Sequence, residues 1–113
     1  MAHFLEHMLF LGTEKYPKED HYADFVTSHG GAKNASTNIT DTRYHFDIKH
    51  DHLDHAVDVF SQFFKHPLFT ESATDREVNA VDQEFKKNYL LDSRKVHQIF
   101  RGMSNPESPY NKF

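Results

Sequence analysis

The first seven residues contain the side chains best suited to hold a metal ion. His3 and His7 are four residues apart, so on a helix they lie one above the other and can direct two imidazoles at one ion. Neutral histidine is the commonest nitrogen ligand of zinc, and Glu6 stands beside the pair as a carboxylate that can serve as a general base. The spacing His-x-x-Glu-His therefore predicts a zinc-hydrolase centre.

A solvated amphipathic helix that happens to carry two histidines is the alternative, because the chain has ten histidines and short motifs arise by chance. The apolar residues of the same stretch argue against it: Leu5, Met8, Leu9, Phe10 and Leu11. A helix that is apolar nearly all round is usually buried. Buried histidine and glutamate side chains need partners, and a metal would supply them.

Composition narrows the class of protein. The chain has 113 residues, a formal net charge of -4 and no cysteine. One domain is expected, disulfides and thiolate metal sites are excluded, and neither nucleic acid nor an anionic membrane surface is an expected partner. No apolar stretch approaches the roughly 20 residues of a membrane span and no signal peptide is visible, which favours a cytoplasmic protein.

His3 lies so close to the start that its turn should fray, so we expect a piece of a longer chain.

Two strands and four helices are predicted to hold the motif. The first helix covers about 2–11, and the second begins at 16–17 and ends at the Gly30-Gly31 pair. The third covers about 52–65. The fourth begins between 70 and 74 and ends at about 103, with a break near 92–93. The strands cover 32–38 and 42–48, joined by a turn at 38–41, and an irregular tail follows 103. The predicted fold is α/β of the α+β type, an antiparallel sheet flanked by helices.

The long helix carries two more candidate carboxylates on one stripe. Glu77 and Glu84 are seven residues apart, about two helical turns, and Asn88 continues the stripe. Thr74 to Glu77 also fits a capping box, which would explain Glu77 without any metal. Glu84 has no such explanation, and it is either a surface glutamate or a carboxylate kept for a partner such as a metal.

The remaining histidines are interpreted as ordinary surface residues. His50, His52 and His55 fall at the start of a predicted helix, where a solvated polar face is expected. The others are predicted to sit singly on the surface or on a strand face: His21, His29, His45, His66 and His97.

Taken together, these motifs resemble the pitrilysin family of zinc metallopeptidases, whose inverted zinc motif is called inverzincin, and within it the insulysin branch. The likeness covers essentially the whole chain. It is carried by His3 to Gly12, Lys15-Tyr16-Pro17, Asn34 to Thr37, and Asp75 to Glu84. Ser36 is more typical of the broader family, which leaves nardilysin and pitrilysin open, whereas the stretch Glu84 to Asn88 favours insulysin.

The resemblance implies roles for individual residues. His3, His7 and Glu84 would ligate one zinc ion per chain, with Glu6 as the general base of a metalloendopeptidase. Glu77 would support the site from behind the ligands.

The resemblance also implies a substrate and a larger assembly. Asn34 and Ala35 would lie on the strand along which a peptide substrate adds. Family members have four related domains in two halves that enclose a chamber, so residues 1–113 would be part of the first domain, truncated at both ends and inactive alone. The remaining domains would be partners, and a dimeric parent is left open. A non-catalytic homologue is disfavoured because Glu6 and all three ligands are present, and a plain helical interaction domain would bind no zinc.

Overall fold

The computed structural model describes residues 1–112. In that range the elements are α1 (Ala2–Met8), α2 (His21–Ser28), β1 (Ala32–Thr37), β2 (Thr42–Asp47), α3 (Leu53–Gln62), α4 (Glu71–Tyr89), α5 (Asp92–Met103) and α6 (Pro109–Lys112). A single 3-10 turn, His50–His52, precedes α3. The chain forms two compact units, Met1–Glu77 and the residues from Val78 onward. The boundary lies inside α4.

The two strands form the predicted antiparallel hairpin. Their register runs from Ala32 opposite Asp47 to Thr37 opposite Thr42. The Asn38 N–H donates to the Asp41 carbonyl over 2.8 Å, which closes the turn. Gly31 precedes β1 where a Cβ atom would lie 2.1 Å from the Asp47 carbonyl oxygen, so only glycine lets the backbones approach this closely.

In the core of the first unit, α2 packs against α3, and both α1 and α2 pack against the hairpin. The buried apolar residues of this core are Leu9, Tyr22, Val26, Val59 and Phe63. Tyr22 and Val26 on α2 are four residues apart, and so are Val59 on α3 and Phe63 directly after it, so each segment presents one apolar stripe. Burying such side chains contributes about 1.5–3 kcal/mol each, and this packing holds α1 in place.

Helix α1 is shorter than predicted, ending at Met8 rather than Leu11. The Phe10 N–H bonds the His7 carbonyl and the Leu11 N–H bonds the Met8 carbonyl, so the last turn tightens to three-residue spacing. Gly12 then adopts a φ of 91°, which ends the helix. Leu5 is 46% exposed, so α1 is not buried all round, as its apolar sequence had predicted it would be.

The second helix begins at His21, not at the predicted Tyr16-Pro17. The Thr13 N–H donates to the Tyr16 carbonyl over 3.0 Å, while the Tyr16 N–H donates to Thr13 Oγ1 over 3.2 Å. Lys15 Nζ lies 2.6 Å from Asp58 Oδ2, and the Tyr16 hydroxyl donates to the same carboxylate. These bonds fix the segment before α2 as a turn on α3, which propensity alone did not predict.

The second unit contains most of α4 together with α5 and α6. Leu91 adopts an extended conformation between α4 and α5, close to the predicted break at 92–93. The predicted irregular tail is wrong in part, since α6 forms where Asn111 Nδ2 donates to the carbonyls of Arg101 and Ser104 at the end of α5. Large apolar side chains of this unit are exposed, among them Phe85, Leu90, Ile99, Phe100 and Met103. None of the described helices is long and apolar enough to cross a membrane.

Candidate metal centre

The two histidines of α1 point their ring nitrogens at each other. His3 Nε2 and His7 Nε2 are 3.3 Å apart, and the rings meet edge to face with centroids 4.7 Å apart. Two nitrogens bound to one tetrahedral zinc at about 2.0–2.1 Å would lie about 3.3–3.4 Å apart. The pair therefore fits a zinc ion without rearrangement of the helix.

A carboxylate from α4 orients the second histidine. His7 Nδ1 lies 2.9 Å from Glu77 Oε2. A carboxylate only accepts hydrogen bonds, so Nδ1 carries the proton and, in the neutral ring, Nε2 keeps its lone pair for a metal. Such a bond behind a histidine ligand is the usual way in which proteins select the tautomer and the ring orientation.

The structure excludes the capping-box interpretation of Glu77. Helix α4 begins at Glu71, three residues before Thr74. Thr70 provides the cap, because its Oγ1 accepts the Ala73 N–H over 3.3 Å. Glu77 therefore lies well inside the helix. Its contact with His7, and not a helix cap, accounts for a carboxylate at this position.

Glu6 occupies a buried position on the same helix as the histidines. It is 8% exposed, and its Oε2 accepts a hydrogen bond of 2.5 Å from the Thr37 hydroxyl at the end of β1. The pKa of Tyr44 on β2 is raised, first by burial and then by the negative charge of Glu6. No role was predicted for Thr37 from the sequence, because a threonine near a turn is common and does not by itself indicate a function.

Glu84 lies in the second unit, on α4, and is exposed. Asn88 Nδ2 is 3.5 Å from its Oε1 one turn further along. Glu77 and Glu84 keep the predicted seven-residue spacing on one uninterrupted helix, so both belong to the same stripe. The assignment of Glu84 as a metal ligand stays a prediction.

The predicted substrate strand, β1, has an outer edge whose backbone groups can be assigned from the register. Because Asn38 and Asp41 form a hydrogen-bonded pair, alternation makes Ala35 opposite Tyr44 a non-hydrogen-bonded pair. The N–H of Ala35 therefore points away from β2, and it donates to Asn34 Oδ1 over 2.9 Å. Within the described residues the sheet has two strands, so this edge has no further strand beside it.

Two histidines predicted to sit singly do not do so. His21 at the start of α2 and His29 directly after its end lie on either side of Phe25. The ring centroids of His29 and His52 are 3.9 Å apart, and those of His21 and His55 are 6.0 Å apart. Tertiary packing of the two helices brings them together, which their spacing in the sequence did not reveal. His55 is exposed, in keeping with its predicted solvated face.

Comparison with known proteins identifies relatives of the chain. The sequence profile of the insulinase family, peptidase family M16, matches residues 1–107. The human insulin-degrading enzyme is 51% identical over all 113 residues, and a candidate zinc protease of Schizosaccharomyces pombe is 47% identical over the same length. The crystal structure of pitrilysin matches 99% of the chain with a TM-score of 0.84 and 36% identity. The chain spans 11% of the human protein, 12% of the yeast protein and 12% of the pitrilysin chain.

Proposed function

Because the chain belongs to the insulinase family of peptidases, M16, we propose that it supplies the metal centre of a zinc-dependent endopeptidase. The substrates would be peptides and small unfolded polypeptides. The observation that carries the proposal is the pair of histidine Nε2 atoms 3.3 Å apart, with the His7 ring anchored from behind by Glu77. Cytoplasmic location remains part of the proposal.

The proposed ligands of one zinc ion are His3, His7 and Glu84. Two imidazoles and one carboxylate form a donor set that zinc takes in hydrolases, with one coordination position left open. The helical stripe supports Glu84, since it lies two turns after the glutamate that contacts His7. When bound, zinc would supply a Lewis acid that polarises a carbonyl and makes water more acidic.

Glu6 is proposed as the general base. It would accept a proton from the attacking water and later give that proton to the leaving amine, so that one carboxylate serves both halves of the reaction. Its burial keeps bulk water from the carboxylate, and its place directly before His7 ties its backbone to that of a ligand. Glutamine at this position would keep the shape and lose the ability to take up a proton.

The edge of β1 is proposed to hold the substrate. A peptide added as a strand there would be recognised mainly through its backbone, which suits an enzyme with varied substrates. The outward N–H of Ala35 is one donor for such a strand, and Asn34 Oδ1 is the group that the peptide carbonyl would replace. The remaining domains of the full-length protein, and a second copy of it in a dimer, are proposed as further partners.

Substitutions in the full-length protein test the metal centre. Glu6→Gln is expected to keep stoichiometric zinc, because Glu6 is not a proposed metal ligand. It is expected to lose turnover, because glutamine cannot take up the proton. His3→Ala, His7→Ala and Glu84→Gln are each expected to abolish tight zinc binding, because each removes one of three protein ligands. Elemental analysis of zinc and a fluorogenic peptide assay measure both properties.

The control for the two glutamine substitutions is Glu107→Gln, which changes an exposed glutamate outside the proposed site. It should retain both zinc and activity. Stoichiometric zinc in Glu84→Gln would contradict the ligand assignment, and full activity in Glu6→Gln would contradict the assignment of the base. A nardilysin-like or pitrilysin-like peptidase would give the same outcomes and would differ in the peptides cleaved. A non-catalytic homologue would bind zinc and cleave none of them.

A further inference from the structure

Thr37 joins the proposed base to the strand that is proposed to hold the substrate. Its hydroxyl donates to Glu6 Oε2 over 2.5 Å, a short contact of the kind that charge-assisted hydrogen bonds make. Glu6 and Thr37 are 31 residues apart in sequence, so this bond fastens α1 to the end of β1. The acceptor is 8% exposed, so little water is available to replace the bond.

The direction of the hydrogen bonds around Thr37 follows from proton counting. A hydroxyl has one proton, and Thr37 gives that proton to the carboxylate, which cannot donate while ionised. Thr42 Oγ1 lies 3.1 Å from Thr37 Oγ1, so Thr42 must be the donor to Thr37. The chain therefore runs from Thr42 through Thr37 to Glu6, and both threonines are polarised in the same sense.

The backbone of Thr37 faces the other way. Thr37 and Thr42 form a non-hydrogen-bonded pair, by the same alternation that applies to Ala35 and Tyr44. The Thr37 N–H and carbonyl consequently point to the outer edge of β1, while its side chain reaches Glu6. One residue thus presents its backbone to the substrate edge and its hydroxyl to the base.

We propose that Thr37 is a positioning residue that holds the Glu6 carboxylate in one orientation relative to a peptide bound along β1. The inference rests on the proposed function and deepens it. With Oε2 bonded to Thr37, proton transfer is assigned to Oε1. A substrate added to the edge and the base that acts on it are then both held by β1, the substrate through the backbone of the strand and Glu6 through the Thr37 hydroxyl.

The test compares Thr37→Val with Thr37→Ser in the full-length protein. Valine keeps the shape and the strand preference but removes the hydroxyl, whereas serine keeps the hydroxyl. We expect Thr37→Val to lower kcat by about 10–100-fold, because a displacement of about 1 Å in a reacting group costs on the order of a hundredfold. KM and zinc content should stay within about twofold of wild type. Thr37→Ser should recover most of kcat.

A crystal structure of each variant adds a measurement that does not depend on activity. The Glu6 side chain should leave its wild-type rotamer in Thr37→Val and keep it in Thr37→Ser. Thr27→Val, which removes an exposed hydroxyl on α2, is the matched control and should change neither kcat nor the rotamer. Thr37→Ala provides the same comparison if Thr37→Val does not fold.

The two proposals fail in different ways. Wild-type kcat in Thr37→Val, or an equal loss in Thr37→Val and Thr37→Ser, would overturn the positioning role while Glu6→Gln remained inactive. Activity retained in Glu6→Gln would instead refute Glu6 as the base, and with it the premise of this inference.

Discussion

At the scale of single residues, the proposed metal centre depends on how His7 is itself held. His7 has one nitrogen directed at His3 and the other bonded to Glu77 over 2.9 Å. The side chains of His7 and Glu77 are 29% and 19% exposed, so water screens this pair less than a surface pair. In the proposed role, the negative charge behind the ring would make the imidazole a stronger ligand as well as an oriented one.

Replacing Glu77 by glutamine tests this role. Glutamine can still accept the Nδ1–H bond but brings no charge, so zinc affinity or kcat should fall by about 10–100-fold. The measurement is zinc competition against a chelator together with the peptide assay. A purely structural role of the His7–Glu77 contact would instead lower the melting midpoint and leave zinc affinity and kcat unchanged, so the melting midpoint is recorded in parallel. Glu71→Gln, at the exposed start of α4, is the control.

At the scale of elements, β1 combines a paired side with an open one. Its inner groups bond β2, while the outer N–H of Ala35 bonds the side chain of Asn34 over 2.9 Å. A side-chain acceptor on an edge N–H satisfies the backbone and can be displaced by a peptide carbonyl. Asn34 is exposed, so its removal should leave the hairpin folded.

Asn34→Ala is expected to raise KM or to lower kcat severalfold without removing zinc. An amide at a strand edge can anchor a peptide, but it is not a preferred zinc ligand. Steady-state kinetics on a fluorogenic peptide and zinc analysis check the two parts separately. Asn105→Ala, which alters an exposed asparagine outside the strand, should behave like wild type. Loss of the metal in Asn34→Ala would contradict the proposed role of Asn34 in holding the substrate.

At the scale of the whole polypeptide, the sheet and the apolar surface set a limit on what these 113 residues can do by themselves. The described sheet has two strands, and such a sheet is marginally stable in water. Apolar side chains on α4 and α5 are exposed, including Phe85, Tyr89, Ile99 and Phe100. Exposed apolar surface of this kind favours self-association.

We therefore expect the 113-residue polypeptide, expressed alone, to be a poor peptidase. His3 would lie two residues from its N-terminus, where backbone is weakly held, and a loosely held ligand reduces zinc affinity. Sedimentation, zinc content and the rate on an unstructured peptide are to be compared with those of a polypeptide extended at both ends. A monomer with stoichiometric zinc and a rate near that of the longer polypeptide would contradict this expectation.

Local spacing was enough to predict much of this protein. The alternation of residues 42–48 and the turn after Asn38 predicted the hairpin, and the four-residue interval between His3 and His7 predicted that their rings meet. Both follow from backbone geometry within a few residues, where periods of two and of 3.6 determine which side chains share a face. The break between α4 and α5 was predicted within two residues.

Contacts between distant residues were decided by the tertiary structure alone. The carboxylate that contacts His7 Nδ1 lies 70 residues away in sequence, and the hydroxyl that contacts Glu6 lies 31 residues away. No local pattern could therefore distinguish Glu77 from a helix cap or reveal Thr37. The late start of α2 has the same origin, because bonds from Lys15 and Tyr16 to Asp58 override the helix-start signal at Pro17. Local preferences leave several conformations close in free energy, and tertiary packing selects one of them. The orientations of Glu77, Thr37, Lys15 and Tyr16 were selected in this way.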